Sequence, residues 1–186
     1  MFRYIVTISL LVVLLYCSIG KIEGQWIIEA VYNDDNCMSA PYYALQKSGN
    51  CFYGIQIETC DPNENYVQVQ NYPYNACSGT PTEYTIATNQ CSRNTTTYCQ
   101  DTYSISQGQF VTETYESYTC NDQNDIFQVS VQPVKTCSAS MIALCNTTHV
   151  TLRYYADVNC NKFEFENYVS LGCSIQDSYG TNVYCT

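Results

Sequence analysis

The chain has 186 residues, a formal net charge of −10, and seven Lys and Arg against seventeen Asp and Glu. Binding a phosphate backbone requires clustered cations, so nucleic acid is excluded as a partner, and an anionic membrane surface is disfavoured on the same ground. Thirteen cysteines in a chain of this length point to a disulfide framework in an oxidising compartment.

The chain opens with a short basic start, Met1 to Tyr4, followed by an almost wholly apolar run from Ile5 to Tyr16 and the small residues Ser18 and Gly20. This is the pattern of a secretory signal peptide over residues 1–20, with Gly24 as the alternative end. The run is shorter than the roughly 20 residues that span a bilayer. Cleavage removes Cys17 and Arg3, leaving twelve cysteines and a formal charge of −11. No apolar tail follows Cys173, so a secreted, extracellular mature chain without a membrane anchor is expected.

From residue 21 onward one pattern recurs. An apolar run ends in a tyrosine, a cysteine follows five residues later, a second apolar run ends in another cysteine, and a loop leads to a third. The triplets are Cys37/Cys51/Cys60, Cys77/Cys91/Cys99, Cys120/Cys137/Cys145 and Cys160/Cys173/Cys185, and their first cysteines are spaced by 40, 43 and 40 residues. The tyrosines are Tyr32, Tyr72, Tyr115 and Tyr155. The spacing predicts one domain over 21–186 built from four tandem repeats, at about 26–65, 66–107, 108–148 and 149–186.

Helical periodicity is weak, and short alternating runs broken by Gly, Asn, Asp, Ser and Pro predict an all-β, disulfide-rich chain with sandwich-like packing. Trp26 to Tyr32 is apolar on both faces and reads as a central or doubly covered strand. Val67 and Val69 alternate with Gln68 and Gln70. Phe127, Val129 and Val131 alternate with Gln128, Ser130 and Gln132. Val150, Leu152 and Tyr154 oppose Thr151 and Arg153, and Phe163 and Phe165 alternate with Glu164 and Glu166. Each of these is expected to bury one face.

Three cysteines per repeat cannot all pair within it. An extended strand holds the first two apart, whereas short loops join the second and third. This argument favours Cys51–Cys60, Cys91–Cys99, Cys137–Cys145 and Cys173–Cys185 within repeats. The first cysteines would link repeats as Cys37–Cys77 and Cys120–Cys160, giving two halves divided near Gln107-Gly108-Gln109. Two sequons, Asn94-Thr95-Thr96 and Asn146-Thr147-Thr148, are candidate N-glycan sites in predicted loops.

Catalytic chemistry finds little to use. His149 is the sole histidine, and the cysteines that could serve as nucleophiles are expected in disulfides. The carboxylate pairs Asp34/Asp35, Asp122/Asp125 and Glu164/Glu166 are local, whereas glycoside hydrolysis needs two carboxyls facing across a cleft. Asp61-Pro62-Asn63-Glu64-Asn65 offers alternate oxygens like a calcium loop, but Tyr66 and Tyr72 stand where an EF-hand needs Gly and Glu, so a polar turn is expected. No C-x-x-C pair suggests zinc. No catalytic residue, metal or cofactor is therefore assigned. The tyrosines are the most suggestive feature. Tyr72, Tyr115 and Tyr155 share the parity of polar strand residues, so they are candidates for a surface row that stacks on sugars or anchors a protein.

Two strand ends, Tyr32-Asn33-Asp34-Asp35-Asn36-Cys37 and Tyr155-Ala156-Asp157-Val158-Asn159-Cys160, read Tyr-x-Asp-x-x-Cys. In this the chain resembles uncharacterised small secreted cysteine-rich repeat proteins of simple eukaryotes. The two middle repeats depart from the motif, and the resemblance implies no activity. The function expected from the sequence is a non-enzymatic binding or structural module presenting Tyr, Asn and Gln to an extracellular glycan or protein. The alternatives are a carboxylate-dependent glycoside hydrolase and a disulfide-rich inhibitor or effector.

Overall fold

The computed structural model describes residues 22–39, 41–176 and 179–186. The predicted leader at 1–20 lies outside them. An end at Gly24 would remove Ile22 and Glu23, whose backbones pair with Tyr103 and Thr102. The first half of the chain carries β1 (Ile22–Val31), β2 (Tyr42–Lys47), β3 (Cys51–Phe52), β4 (Gln56–Cys60), β5 (Tyr66–Asn71), β6 (Thr82–Ala87), β7 (Cys91–Ser92) and β8 (Thr95–Tyr103). The second carries β9 (Gln109–Tyr115), β10 (Ile126–Pro133), β11 (Met141–Cys145), β12 (His149–Tyr155), β13 (Phe163–Ser170), β14 (Gly172–Gln176) and β15 (Tyr179–Cys185), with one 3-10 turn at Gln123–Asp125. Among the described residues no helix is long and apolar enough to cross a membrane.

The strands form an eight-stranded sheet in the order β14-β15-β9-β10-β2-β1-β8-β7, a four-stranded sheet β3-β4-β5-β6 and a three-stranded sheet β11-β12-β13. The two smaller sheets cover one face of the large one. Under the first, Ile27 and Cys99 of the large sheet meet Cys60, Val67 and Val69. Under the second, Phe110 and Val183 meet Ala143, Val150 and Leu152. β1 lies between β2 and β8 and is covered on both faces, Ile27 on one and Trp26 and Ile28 on the other, which is why its sequence lacks alternation.

Both halves use one plan. The first strand of the leading segment pairs with its own second strand and with the last strand of the following segment: β1 with β2 and β8, and β9 with β10 and β15. In the smaller sheets β5 and β12 pair likewise with β4 and β11 of the preceding segment. The halves meet edge to edge where β10 pairs antiparallel with β2, from Gln128 opposite Gln46 to Val131 opposite Tyr43.

All twelve cysteines from Cys37 onward are bridged, but not as the loop lengths suggested. The pairs are Cys37–Cys91, Cys51–Cys77, Cys60–Cys99, Cys120–Cys173, Cys137–Cys160 and Cys145–Cys185. Each half thus joins the first cysteine of one segment to the second of its neighbour, the second to the first, and the third to the third. None of the expected pairs forms, within segments or as Cys37–Cys77 and Cys120–Cys160. Hairpin register explains three of the misses. Cys51 lies opposite Ile57, Cys91 opposite Thr96 and Cys173 opposite Asn182, so the expected partner sits three residues further along the strand. At roughly 3.3 Å per residue that is about 10 Å, too far to bridge.

The Tyr-x-Asp-x-x-Cys ends have a local cause. The Asp34 carboxylate accepts backbone N–H groups of Asn36, Met38 and Ser39, and Asp157 accepts those of Asn159, Asn161 and Lys162, at the same offsets. Each carboxylate gathers a loop in which the following cysteine adopts a left-handed φ, 56° at Cys37 and 54° at Cys160.

Two strand assignments need correction. A register shift between Ile126 and Gln128 puts Ile126 in the core in place of Phe127, and Gln132 is buried rather than wet. On β13 neither phenylalanine is buried: Phe163 is 55% exposed and Phe165 53%, because β13 is the outer strand of its sheet.

No bridge joins the two halves; the β2–β10 junction, the core beneath it and side-chain contacts such as Asn33 to the Cys137 carbonyl and Asn50 to Glu116 hold them together. Cleavage at the exposed Gln107–Gly108 bond should give a nicked protein that elutes as one species in native buffer. It should separate into two disulfide-closed fragments in denaturant without reductant. Fragments that stay joined in denaturant would refute the bridge pattern, and dissociation in native buffer would refute the shared sheet.

Candidate functional site

The face of the large sheet turned away from the two smaller sheets gathers tyrosines. Strand register sets one row as Asn182, Glu113, Val129, Leu45, Ile28 and Tyr98, and the adjacent row runs Tyr184, Val111, Val131, Tyr43 and Ala30. The connection from β8 to β9 crosses this face, since it joins strands lying on opposite sides of β1, β2 and β10. Ile105 is buried with Trp26, Ile28, Val111 and Val129 in one cluster. Thr186 pins the far end of the crossing. Its hydroxyl donates to the Ser106 carbonyl at 2.6 Å, and its carbonyl accepts the Gly108 N–H at 3.0 Å. Gly108 is at φ +77°, a conformation suited to glycine at that turn.

Between the crossing and the sheet lies a hollow of about 330 Å³, floored by Ile28, Leu45 and Val131. Tyr43, Tyr98 and Tyr103 give it aromatic walls, and Gln100, Ser104, Ser106 and Gln109 give it polar ones. The Tyr98 hydroxyl lies 3.3 Å from that of Tyr32. This pairing, followed by burial, pushes the Tyr32 phenol up to about 12. Tyr103 rests edge-on against Trp26, with ring centroids 5.0 Å apart, and its hydroxyl and the Trp26 indole N–H are buried with no hydrogen-bond partner among the described residues.

Behind the hollow is a buried carboxylate. Glu113 accepts hydrogen bonds of 2.7 Å from each of the Tyr115 and Tyr184 hydroxyls and one of 3.4 Å from the Asn182 amide. Burial, and then the hydrogen bond to and charge of Glu113, raise the Tyr115 and Tyr184 phenols well above the ordinary value. Burial and the Glu113 charge do the same to Tyr103. A second hollow, of about 690 Å³, opens beside β13 between the small sheet and the large one and is lined by Phe110, Gln132, Leu152, Val169 and Leu171 among others. Among the described residues no carboxylate lines either hollow.

The tyrosines singled out in the sequence do not form a surface row. Tyr115 is 3% exposed, so it is unavailable to a partner; it shares a face with Val111, and Glu113 beside it is buried rather than wet. Tyr72 is half-buried and donates to the Gln70 side chain, and Tyr155 is half-buried edge-on against Phe163. Sequence reasoning missed Tyr43, Tyr98, Tyr103 and Glu113. The parity of Val111, Glu113 and Tyr115 was the available signal.

The remaining candidates make local contacts. His149 sits in a turn with Asn146 and Thr148, and its ring meets that of Tyr168 edge-on. Asp122 caps the 3-10 turn, and Asp61 accepts the Asn63 N–H in a hairpin turn. Glu166 pairs with Arg153 at 3.3 Å. Glu58 is buried, and its carboxyl is raised by burial and then by the charge of Glu29, whose own carboxyl is raised by burial. Neither of these carboxyls reaches the hollows. Among the described residues no group of three or more His, Cys, Asp or Glu is placed to hold a metal. At the sequons, the Asn94 side-chain nitrogen donates to the Tyr32 carbonyl, whereas Asn146 is exposed and its oxygen accepts from the Thr148 and His149 N–H groups.

Compared with known proteins, the chain matches a family model described as counting factor-associated protein A/B/C over residues 2–186. No curated protein and no solved structure matches it significantly.

The buried phenols make the fold sensitive to alkali. An acid whose folded-state value is raised stabilises fully below its unfolded value, here 10.0, and loses that contribution as pH rises through the folded value. A spectrophotometric titration should show Tyr103, Tyr115 and Tyr184 silent while exposed tyrosines ionise, then ionising together as the protein unfolds. Smooth ionisation of every tyrosine near pH 10 with the fold intact would refute this site.

Proposed function

The chain belongs to the counting factor-associated protein A/B/C family, and from that premise we propose that it is a secreted, non-enzymatic binding module whose tyrosine-lined hollow takes a short extracellular glycan. The hollow carries the reading. Tyr43, Tyr98 and Tyr103 offer aromatic faces to the C–H faces of a sugar, while Gln100, Gln109 and the two serines offer donors and acceptors for its hydroxyls. At about 330 Å³ it has room for a short saccharide, at the low end of the roughly 300–1,000 Å³ typical of ligand pockets. Six disulfides fit an oxidising extracellular setting and keep the walls in place without a large core. The family description speaks of association rather than turnover. Binding is favoured over hydrolysis because neither hollow is lined by a carboxylate.

Trp26 is the sole tryptophan and packs on Tyr103, so its emission reports on the hollow. Titration with an oligosaccharide panel should change that emission saturably for at least one glycan. Tyr98→Ala should weaken that binding by roughly tenfold, the scale of one well-packed aromatic contact, while leaving the thermal midpoint close to wild type. No response to any glycan, or a response indifferent to Tyr98, would overturn the reading.

The two sequons should also differ in use. The Asn146 side chain is exposed, its amide nitrogen meeting only the neighbouring His149 ring, whereas the Asn94 amide is half-buried and donates to the Tyr32 carbonyl of a distant strand end. Peptide mapping of protein from a eukaryotic secretory host should find a glycan on Asn146 and little on Asn94; the reverse occupancy would contradict this geometry.

A further inference from the structure

β13 is an edge of unusual character. Of the other edges, β3 and β7 are two residues each, Pro81 stands directly before β6, and β11 and β14 run for five residues each. β13 runs for eight residues, Phe163 to Ser170, without Pro or Lys. It leaves three aromatic side chains largely open, Phe163 at 55%, Phe165 at 53% and Tyr168 at 59%. Soluble proteins normally protect an edge of this length, because its free N–H and C=O groups form a template for another strand.

The fold already shows what such a strand does. β2 and β10 are each the strand that follows the first cysteine of a leading segment, each pairs with the first strand of that segment, and each would end its half of the large sheet. They close on one another, like strand to like strand, antiparallel. β13 holds the same place in the other sheet of its half: it follows Cys160 and pairs with β12, as β10 follows Cys120 and pairs with β9. Among the described residues its outer side meets no strand.

We propose that β13 pairs antiparallel with β13 of a second copy of this chain, joining two three-stranded sheets into a continuous six-stranded one about a two-fold axis. Opposed residues in such a pair must lie on the same face, which limits the register. A centre on Glu166 sets that carboxylate against its own copy and is disfavoured. A centre on Asn167 sets Phe165 opposite Val169 of the other copy and Glu166 opposite its Tyr168. Phe165 already stacks on Tyr154, with ring centroids 4.6 Å apart, and Tyr168 already donates to Glu166 within its own strand. The pairing thus sets the apolar Val169 of the other copy beside the Tyr154–Phe165 stack and adds no like-charge contact at its centre.

Sedimentation velocity of the full mature chain over a concentration series should show a monomer–dimer equilibrium. Phe165→Lys replaces two symmetry-related apolar pairs and should weaken it by roughly tenfold or more. Tyr84→Lys, on the exposed strand β6, should leave it unchanged. Amide exchange on the wild type gives a reading independent of any variant: protection on the outer side of β13 should rise with protein concentration while that of β6 does not. A wild type that stays monomeric up to its solubility limit would overturn the proposal. So would a dimer indifferent to Phe165→Lys, one broken by Tyr84→Lys, or β13 exchange independent of concentration.

Discussion

The first strand of every segment is flanked by the last strand of another: β1 by β8, β5 by β4, β9 by β15 and β12 by β11. A segment of about 40 residues cannot bury a sufficient core alone. Exchanging last strands lets two segments build a pair of facing sheets that neither could form alone. The disulfides follow the same reciprocity, and Cys60–Cys99 and Cys145–Cys185 cross from one sheet to the other, the first inside its core and the second packed against the side of its own. Each half is a closed object by this logic, and the remaining edges, β2 and β10, decide how the two objects meet.

Much of this was legible in the sequence. Alternation at Val67 and Val69 and at Val150 and Leu152 marked buried faces correctly, and the doubly apolar run from Trp26 marked a strand covered on both sides. Disulfide pairing was not legible, because loop length measures only how easily two cysteines meet in a free chain. Strand register, set by the next segment, decides whether they meet in the fold, and it shifts Cys51 from Cys60 by three residues. The Asp34 and Asp157 motifs were visible as patterns. Their role, a carboxylate collecting successive backbone N–H groups, needed the loop.

The tyrosine face eluded sequence reasoning for a different reason. Glu113 breaks the alternation rule by occupying a buried position, and the rule then assigns Tyr115 beside it to solvent. A buried carboxylate is tolerable only where donors surround it, and two of its donors are the tyrosines themselves. One of them, Tyr184, lies 71 residues away in sequence. The candidate site is likewise assembled from β1, β2, β8, β10 and the β8–β9 crossing, so no single stretch of sequence displays it. The repeated tyrosine that drew attention contributes to it only indirectly, through Tyr32 against Tyr98 and Tyr115 against Glu113.

The reciprocal bridges bear on how the chain is made. Cys37 must wait for Cys91, 54 residues behind it, and Cys60 for Cys99, 39 residues behind it. As the chain is made, Cys37, Cys51 and Cys60 emerge before any of their partners. Any bond they form then, Cys51–Cys60 above all, is absent from the finished protein and has to be undone by thiol exchange. Folding of this chain under oxidising conditions therefore includes reopening such early bonds by thiol exchange, in two instalments. The first half can close once Cys99 has emerged. The second repeats the sequence of waiting and correction from Cys120 to Cys185, beside a half that is already locked.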